Sequence, residues 1–184
     1  MNDLKHSRWT AVAIALAACI SVPAAIAAAP DSVSAPAVAT YWQMIPAATF
    51  VTRSSNMSYS YANGGCVTLP SGTDFTHRLL LPAGATLRYV RTYFRDTGPG
   101  SVFSAVSQYD AAGGLVDMGA MNSPNAGGYS SMLSPDLAHM FDPVNHAYVI
   151  NVQYRTDDTI FLNGFESGAG EMLFCGVRVM WDMP

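Results

Sequence analysis

Hydrophobic and polar side chains alternate most clearly over residues 147–154, where Tyr148, Ile150, Val152 and Tyr154 share one parity and Val149, Asn151 and Gln153 the other. Successive side chains of a strand point to opposite faces, so this spacing predicts a half-buried strand rather than a helix. Leu173, Cys175, Val177, Val179 and Trp181 repeat the pattern in the closing run, with Gly176 and Arg178 opposite. Residues 86–96 give a third long strand. There Leu87, Tyr89 and Tyr93 fall on one parity and Val90 and Phe94 on the other, so either both faces are partly covered or a bulge shifts the register.

Shorter strands are expected over 49–53, 57–61, 66–69, 77–81, 102–109, 115–118, 129–133 and 138–141, rich in Val, Ile, Thr, Tyr and Phe. Between them lie turn chemistries such as Pro82-Ala83-Gly84, Asp110-Ala111-Ala112-Gly113-Gly114 and Asp142-Pro143-Val144-Asn145. Beyond the first thirty residues no window sustains helical spacing. Many short strands between regular turns predict an all-β fold, a single β-sandwich of jelly-roll or Greek-key topology. Residues 159–170 interrupt what would otherwise be a simple final hairpin. Their apolar Phe161, Leu162 and Phe165 are expected to tuck under the sandwich, the other reading being an exposed contact patch.

The first thirty residues follow the order of a secretory signal: basic Lys5, His6 and Arg8, then an uncharged stretch over 10–29, with Ala25-Ile26-Ala27 as a cleavage site. The expected division is a signal peptide over 1–27, a flexible Ala/Ser/Pro-rich lead-in over 28–40 and the sandwich over 41–184. Two rival readings are a lipoprotein acylated on Cys19, after Leu16-Ala17-Ala18, and an uncleaved anchor. The apolar run continues well past Cys19 and is broken by Pro23, which favours cleavage and release. The protein is therefore expected to be secreted, periplasmic or at the cell surface, with no transmembrane span in the mature chain.

Export changes the reading of charge and of cysteine. Of 184 residues half are hydrophobic and 12% charged, enough for one packed domain. Lys5 is the only lysine, so the mature chain sets seven arginines against ten aspartates and two glutamates. An acidic surface releases no counterions from phosphates, which argues against a nucleic-acid partner. Arg88, Arg91 and Arg95 form the only basic cluster, expected at solvated edges or paired with nearby aspartates. Once Cys19 is removed, Cys66 and Cys175 remain as an even pair in an oxidising compartment, which predicts a disulfide from the early part of the domain to its last strand.

Candidate chemistry is sparse. His77, His139 and His146 stand isolated, without His-Glu-x-x-His, Cys-x-x-Cys or His-x-His spacing, so neither a metal nor a cofactor is indicated. No nucleophile elbow, phosphate loop or dinucleotide fingerprint occurs, and no catalytic residue is assigned. Glu166 and Glu171 both fall in or beside the interrupting segment. Asp110, Asp142 or the pair Asp157-Asp158 have the chemistry for a calcium staple, although aspartate at a turn bonds local backbone N–H groups without a metal. Tyr41, Trp42, Tyr59, Tyr61, Tyr89, Tyr93, Tyr109, Tyr129 and Trp181 supply many amphipathic rings, most expected in packing, some able to stack on sugars.

Ile45-Pro46-Ala47-Ala48-Thr49-Phe50, Gly65-Cys66, Leu81-Pro82-Ala83-Gly84-Ala85-Thr86-Leu87, Tyr93-Phe94-Arg95-Asp96 and Cys175-Gly176-Val177-Arg178-Val179 occur in order. This order resembles a group of uncharacterised bacterial secreted proteins with an L-P-x-G-A-x-I turn and a closing C-G-I-R-V-x-Y strand. The resemblance implies a secreted β-sandwich, matches the paired cysteines and carries no activity. The leading functional reading is thus a non-enzymatic exported sandwich with a structural or protein-contact role. A glycan-binding module is the first alternative and a hydrolase with a loop-built site the second. A glycan or a protein is accordingly the partner class to look for.

Overall fold

Alternating side chains settle as strands because a sheet buries every second residue and leaves the others in water. The computed structural model describes residues 38–70, 72–97, 100–124, 126–155 and 172–184. The strands are β1 (Ala39–Pro46), β2 (Val51–Thr52), β3 (Val67–Thr68), β4 (Asp74–Arg78), β5 (Thr86–Asp96), β6 (Ser101–Asp110), β7 (Leu115–Asn122), β8 (Gly128–Leu133), β9 (His139–Met140), β10 (His146–Arg155) and β11 (Met172–Met183). They form two antiparallel sheets, β1-β11-β5-β8 with β3 on β11 and β9 on β5, and β2-β4-β10-β6-β7. Of the paired strands only β6 and β7 are sequence neighbours, so the chain crosses repeatedly between sheets, as the sandwich reading expects.

The two sheets enclose a core of Phe50, Phe75, Phe94, Leu87, Val106, Ile150, Phe174 and their neighbours, all nearly inaccessible to water. Phe174 meets Phe50 edge to face at 4.7 Å, an arrangement that suits the ring quadrupoles. A polar link crosses the layer among these apolar groups: the buried Thr92 hydroxyl of β5 donates to Ser104 Oγ of β6 at 2.9 Å. Mutual satisfaction removes most of the cost of burying two hydroxyls.

On β10 the expected alternation holds, with Tyr148, Ile150 and Val152 buried and Val149, Asn151 and Gln153 partly exposed. On β5 and β11 bulges break it. Phe174 pairs with Phe94 but Gly176 with Tyr93, so Cys175 is an extra residue; Met180 pairs with Tyr89 but Trp181 with Leu87, so Arg88 is extra on β5. The continuous face expected from Leu173 to Trp181 is therefore corrected: Met172 and Phe174 reach the core before the bulge, Val177 and Val179 after it. Cys175 uses its displaced position to bond Cys66, just before β3, closing the predicted disulfide. Gly176 follows with φ of +138°, and a Cβ there would lie 2.6 Å from the carbonyl oxygen of Ile45. Glycine is needed at this position both for conformation and for space.

Other boundaries move. Ala39 and Thr40, expected in the lead-in, pair with Met183 and Asp182 in β1, because an edge strand needs backbone hydrogen bonds and little side-chain burial. Residues 57–61 form no strand, only a bridge from Tyr61 to Val67, although Tyr59 packs edge-on against Phe75. The strand expected at 77–81 lies earlier, over β4, while Leu79 and Leu81 remain buried beyond it. The signal peptide over 1–27 with Cys19, the lead-in over 28–37 and the segment 159–170 lie outside the described residues. No helix among the described residues is long and apolar enough to cross a membrane.

Reduction of Cys66–Cys175, which closes a loop of 109 residues, is expected to lower unfolding free energy by about 2–4 kcal/mol. Equal denaturant midpoints for oxidised and reduced protein would contradict this. Gly176→Ala is expected to cost about 1–3 kcal/mol, whereas Gly128→Ala, where the added Cβ meets nothing within 4 Å, should leave the midpoint nearly unchanged.

Candidate functional site

The outward face of the second sheet carries the most concentrated polar chemistry. Because Phe75, Ile150, Val152, Val102 and Val106 point to the core, alternation turns Asn151, Gln153 and Arg155 of β10 outward together with Phe103, Ser107 and Tyr109 of β6. Register assembles them: Gln153 lies between Asp74 of β4 and Phe103, while Ser107 lies between Val149 and Asp117 of β7. Arg53, beyond β2, completes the rim of a cleft of about 210 Å³. That is smaller than the roughly 300–1,000 Å³ of pockets for drug-sized ligands, so the cleft suits a small unit of a larger ligand.

Two linked devices hold the floor of the cleft rigid. The fully buried Ser107 hydroxyl donates to the Asp117 carboxylate and accepts from Asn151 Nδ2 at 2.5 Å. The chain of bonds fixes the amide, whose Oδ1 has no hydrogen-bond partner among the described residues. Beside it Arg155 Nε donates to Gln153 Oε1 at 2.9 Å, and the guanidinium lies 3.5 Å over the Phe103 ring. Stacking of this kind favours a planar, preorganised cation. Amide, carboxylate and guanidinium groups thus stand side by side, two arginines balanced by two aspartates, so the cleft favours hydrogen bonding to a neutral polar ligand over capture of an ion.

Hydrolysis would make different demands. Asp74 and Asp117 stand on strands three spacings apart, about 14 Å at roughly 4.8 Å per strand. Glycoside hydrolases hold their carboxyl groups roughly 5–9.5 Å apart. Among the described residues no histidine lines the cleft.

The other sequence candidates are dispersed. His77 packs against Phe50 at 5.0 Å, with Nδ1 3.1 Å from the carbonyl oxygen of Thr49. His139 lies beside the buried Tyr148 hydroxyl at 3.1 Å, which also accepts from the Asp142 N–H at 3.2 Å, and His146 stands 3.8 Å from Asp142. Asp110 accepts from the N–H groups of Ala112 and Gly114, and Asp142 from those of Val144 and Asn145, the turn-closing role that needs no calcium. No group of three metal-ligating side chains occurs among the described residues; Asp157, Asp158, Glu166 and Glu171 lie outside them. The aromatic residues divide. Tyr41 stacks on Trp181 at the sheet edge, Tyr59 meets the core, and Tyr109 reaches the cleft. Trp42, Tyr89, Tyr93 and Tyr129 share the outer face of the first sheet. Sequence reasoning passed over Asn151, Ser107 and Asp117 as site residues. The available signal was Asn151 and Gln153 on the polar parity of the clearest strand, and no comparable signal marked Ser107 or Asp117.

Burial, and secondarily the charge of His146, holds the His139 imidazole below the usual histidine range. Folding then disfavours its protonation. Stability should fall as pH drops below about 6.5 towards the lowered folded value. Asp142, held low mainly by the side-chain bond from Asn145, adds stability that is present above the usual carboxylate value and is lost only as pH falls through its lowered folded value. Urea midpoints measured at about pH 7.5 and about pH 5 should differ in the wild type and converge in His139→Gln; an equal difference in the variant would contradict the assignment.

Comparison with solved structures finds sandwich domains of similar fold. The C-terminal CBM6 of LamC, a marine laminarinase from Zobellia galactanivorans, is 12% identical with a TM-score of 0.48, over 76% of this chain and 98% of that one. The CBM36-1 domain of a multidomain xylanase from the hindgut metagenome of Trinervitermes trinervoides is 8% identical with a TM-score of 0.46, over 76% of this chain and 96% of that one. A β-1,3-glucan binding CBM6 from Bacillus halodurans is 12% identical with a TM-score of 0.44, over 73% and 92%. No family model matches the sequence, and no curated protein matches it either. At these values the likeness concerns the fold, and no correspondence of residues follows from it.

Proposed function

We propose that this protein is an exported, non-enzymatic glycan-binding module whose site is the cleft on the outer face of the second sheet. The observation that carries the reading is the fixed row of Asn151, Gln153, Arg155, Ser107 and Asp117 beside the Phe103 ring. Sugar hydroxyls both donate and accept, so they are matched by amides that do both, by a carboxylate that accepts and by a guanidinium that donates. Asn151 lines the cleft, and its buried Oδ1 has no hydrogen-bond partner among the described residues. The balanced charge favours a neutral sugar, and the small volume favours recognition of one ring along a chain. This moves the first alternative ahead of a purely structural role, because a surface without a ligand has no need of so preorganised a polar row. The Cys66–Cys175 bond supports an oxidising compartment and so agrees with export.

Affinity electrophoresis through gels containing β-glucan, xylan or galactan tests the proposal. At least one neutral polysaccharide should retard the wild type. Asn151→Ala and Gln153→Ala should each weaken binding about tenfold, since each removes a hydrogen-bonding amide from the lining of the cleft, while Tyr41→Ala should not. Free migration through every neutral gel, or retardation indifferent to both cleft substitutions in variants that melt normally, would contradict it.

A further inference from the structure

The first sheet presents an outer face of quite different chemistry. Arg178 of β11 and Arg91 of β5 are direct register partners and face outward together, since their neighbours Val177, Val179, Val90 and Thr92 point inward. Like charges directly opposite on a sheet repel, and among the described residues no carboxylate forms a salt bridge with either. Arg91 donates from Nη1 to Ser131 Oγ at 3.2 Å, and Arg178 lies 5.0 Å from the Trp42 ring and 6.0 Å from the Tyr93 ring, its Nε without a hydrogen-bond partner. Neither arginine forms a salt bridge among the described residues. Asp136 and Asp182 are engaged elsewhere, by Arg88 at the bulge and, for Asp182, also by the Thr40 hydroxyl at 2.7 Å. The pair is flanked along its own row by exposed Met44 and Leu133, with exposed Trp42 beside it.

We infer that this face is a second binding surface, distinct from the cleft, which takes the carboxylate groups of an acidic, uronate-bearing polysaccharide between Arg91 and Arg178. A carboxylate accepts from guanidinium forks in a planar, charge-assisted geometry and would offset the repulsion that the two arginines otherwise impose on each other. The neighbouring Trp42 ring offers an apolar platform for the face of the sugar that carries the carboxylate. Charge selects this occupant over a second copy of the chain: two-fold pairing through this face would bring arginines against arginines. The inference does not depend on the cleft, because none of the residues named here lines it.

Retardation by polygalacturonate, at low salt and at physiological salt, tests the inference with wild type, Arg91→Gln, Arg178→Gln and the cleft variant Asn151→Ala. The wild type and Asn151→Ala should be retarded alike. Each arginine variant should lose about tenfold in affinity, and added salt should weaken the wild-type interaction. Arg91→Gln should melt no lower than the wild type, since it removes one member of a like-charged pair, which keeps the binding result separate from misfolding. Unretarded wild type, retention unaffected by both arginine substitutions, or loss of retention in Asn151→Ala would overturn the inference. Equal retention by polyglutamate would also overturn it, showing an acidic peptide surface, as would arginine-dependent dimers in sedimentation.

Discussion

The constraint on which the rest depends is the strict two-residue alternation of β10 at the centre of the second sheet. One parity puts Tyr148, Ile150 and Val152 into the core; the other necessarily raises Asn151, Gln153 and Arg155 to the surface. A slip of one residue would bury an amide, an amide and a guanidinium and expose three large apolar groups, a loss no domain of this size could absorb. The force that builds the sandwich is therefore the force that aims the cleft. Ten register positions against β6 and five against β4 then bring the second and third contributions to the same place.

The first sheet reaches a similar result through interruption. Its long central pair, β5 and β11, carries two bulges, each of which locally raises the twist of the strand. One of these displaces Cys175 from the ladder and frees it to reach Cys66, while the adjacent Gly176 lets the edge strand come close. The covalent tie between early and late chain thus arises from a local irregularity in the sheet. In a fold whose pairings are almost all between distant segments, such a tie limits the freedom of the unfolded chain where loop closure is most demanding.

How much of this could be read from the sequence follows from what each feature depends on. The strand at 147–154 was legible because a half-buried central strand writes its environment directly into its pattern, and the cysteine pair because only one pairing was available. The β5 pattern announced a conflict that a bulge resolves. The parity of β11 is not legible in the sequence because Cys175, which counts as apolar there, occupies no ladder position. Strand β1 was invisible because an edge strand of mixed residues depends on its partner for its existence. The cleft was hidden for a further reason: Asp74, Ser107, Asp117 and Asn151 come from four strands, and nothing local in any of them marks the meeting. The same is true of Arg91 and Arg178, which pair across 87 positions of sequence only through the β5–β11 register. Arg91 and Arg95 share the outer side of that sheet while Arg88 is drawn into the bulge beside Asp136, which divides the sequence cluster between two environments.

The most direct measurement of the central claim is amide chemical-shift mapping during titration with a neutral oligosaccharide that the protein retains. If β10 aims the site, the largest shifts fall on Asn151, Gln153 and Arg155 and on Phe103 and Ser107 beside them, with the inward residues of the same strands little changed. Shifts confined to the turns at the sandwich ends, with those five amides unmoved, would contradict the account.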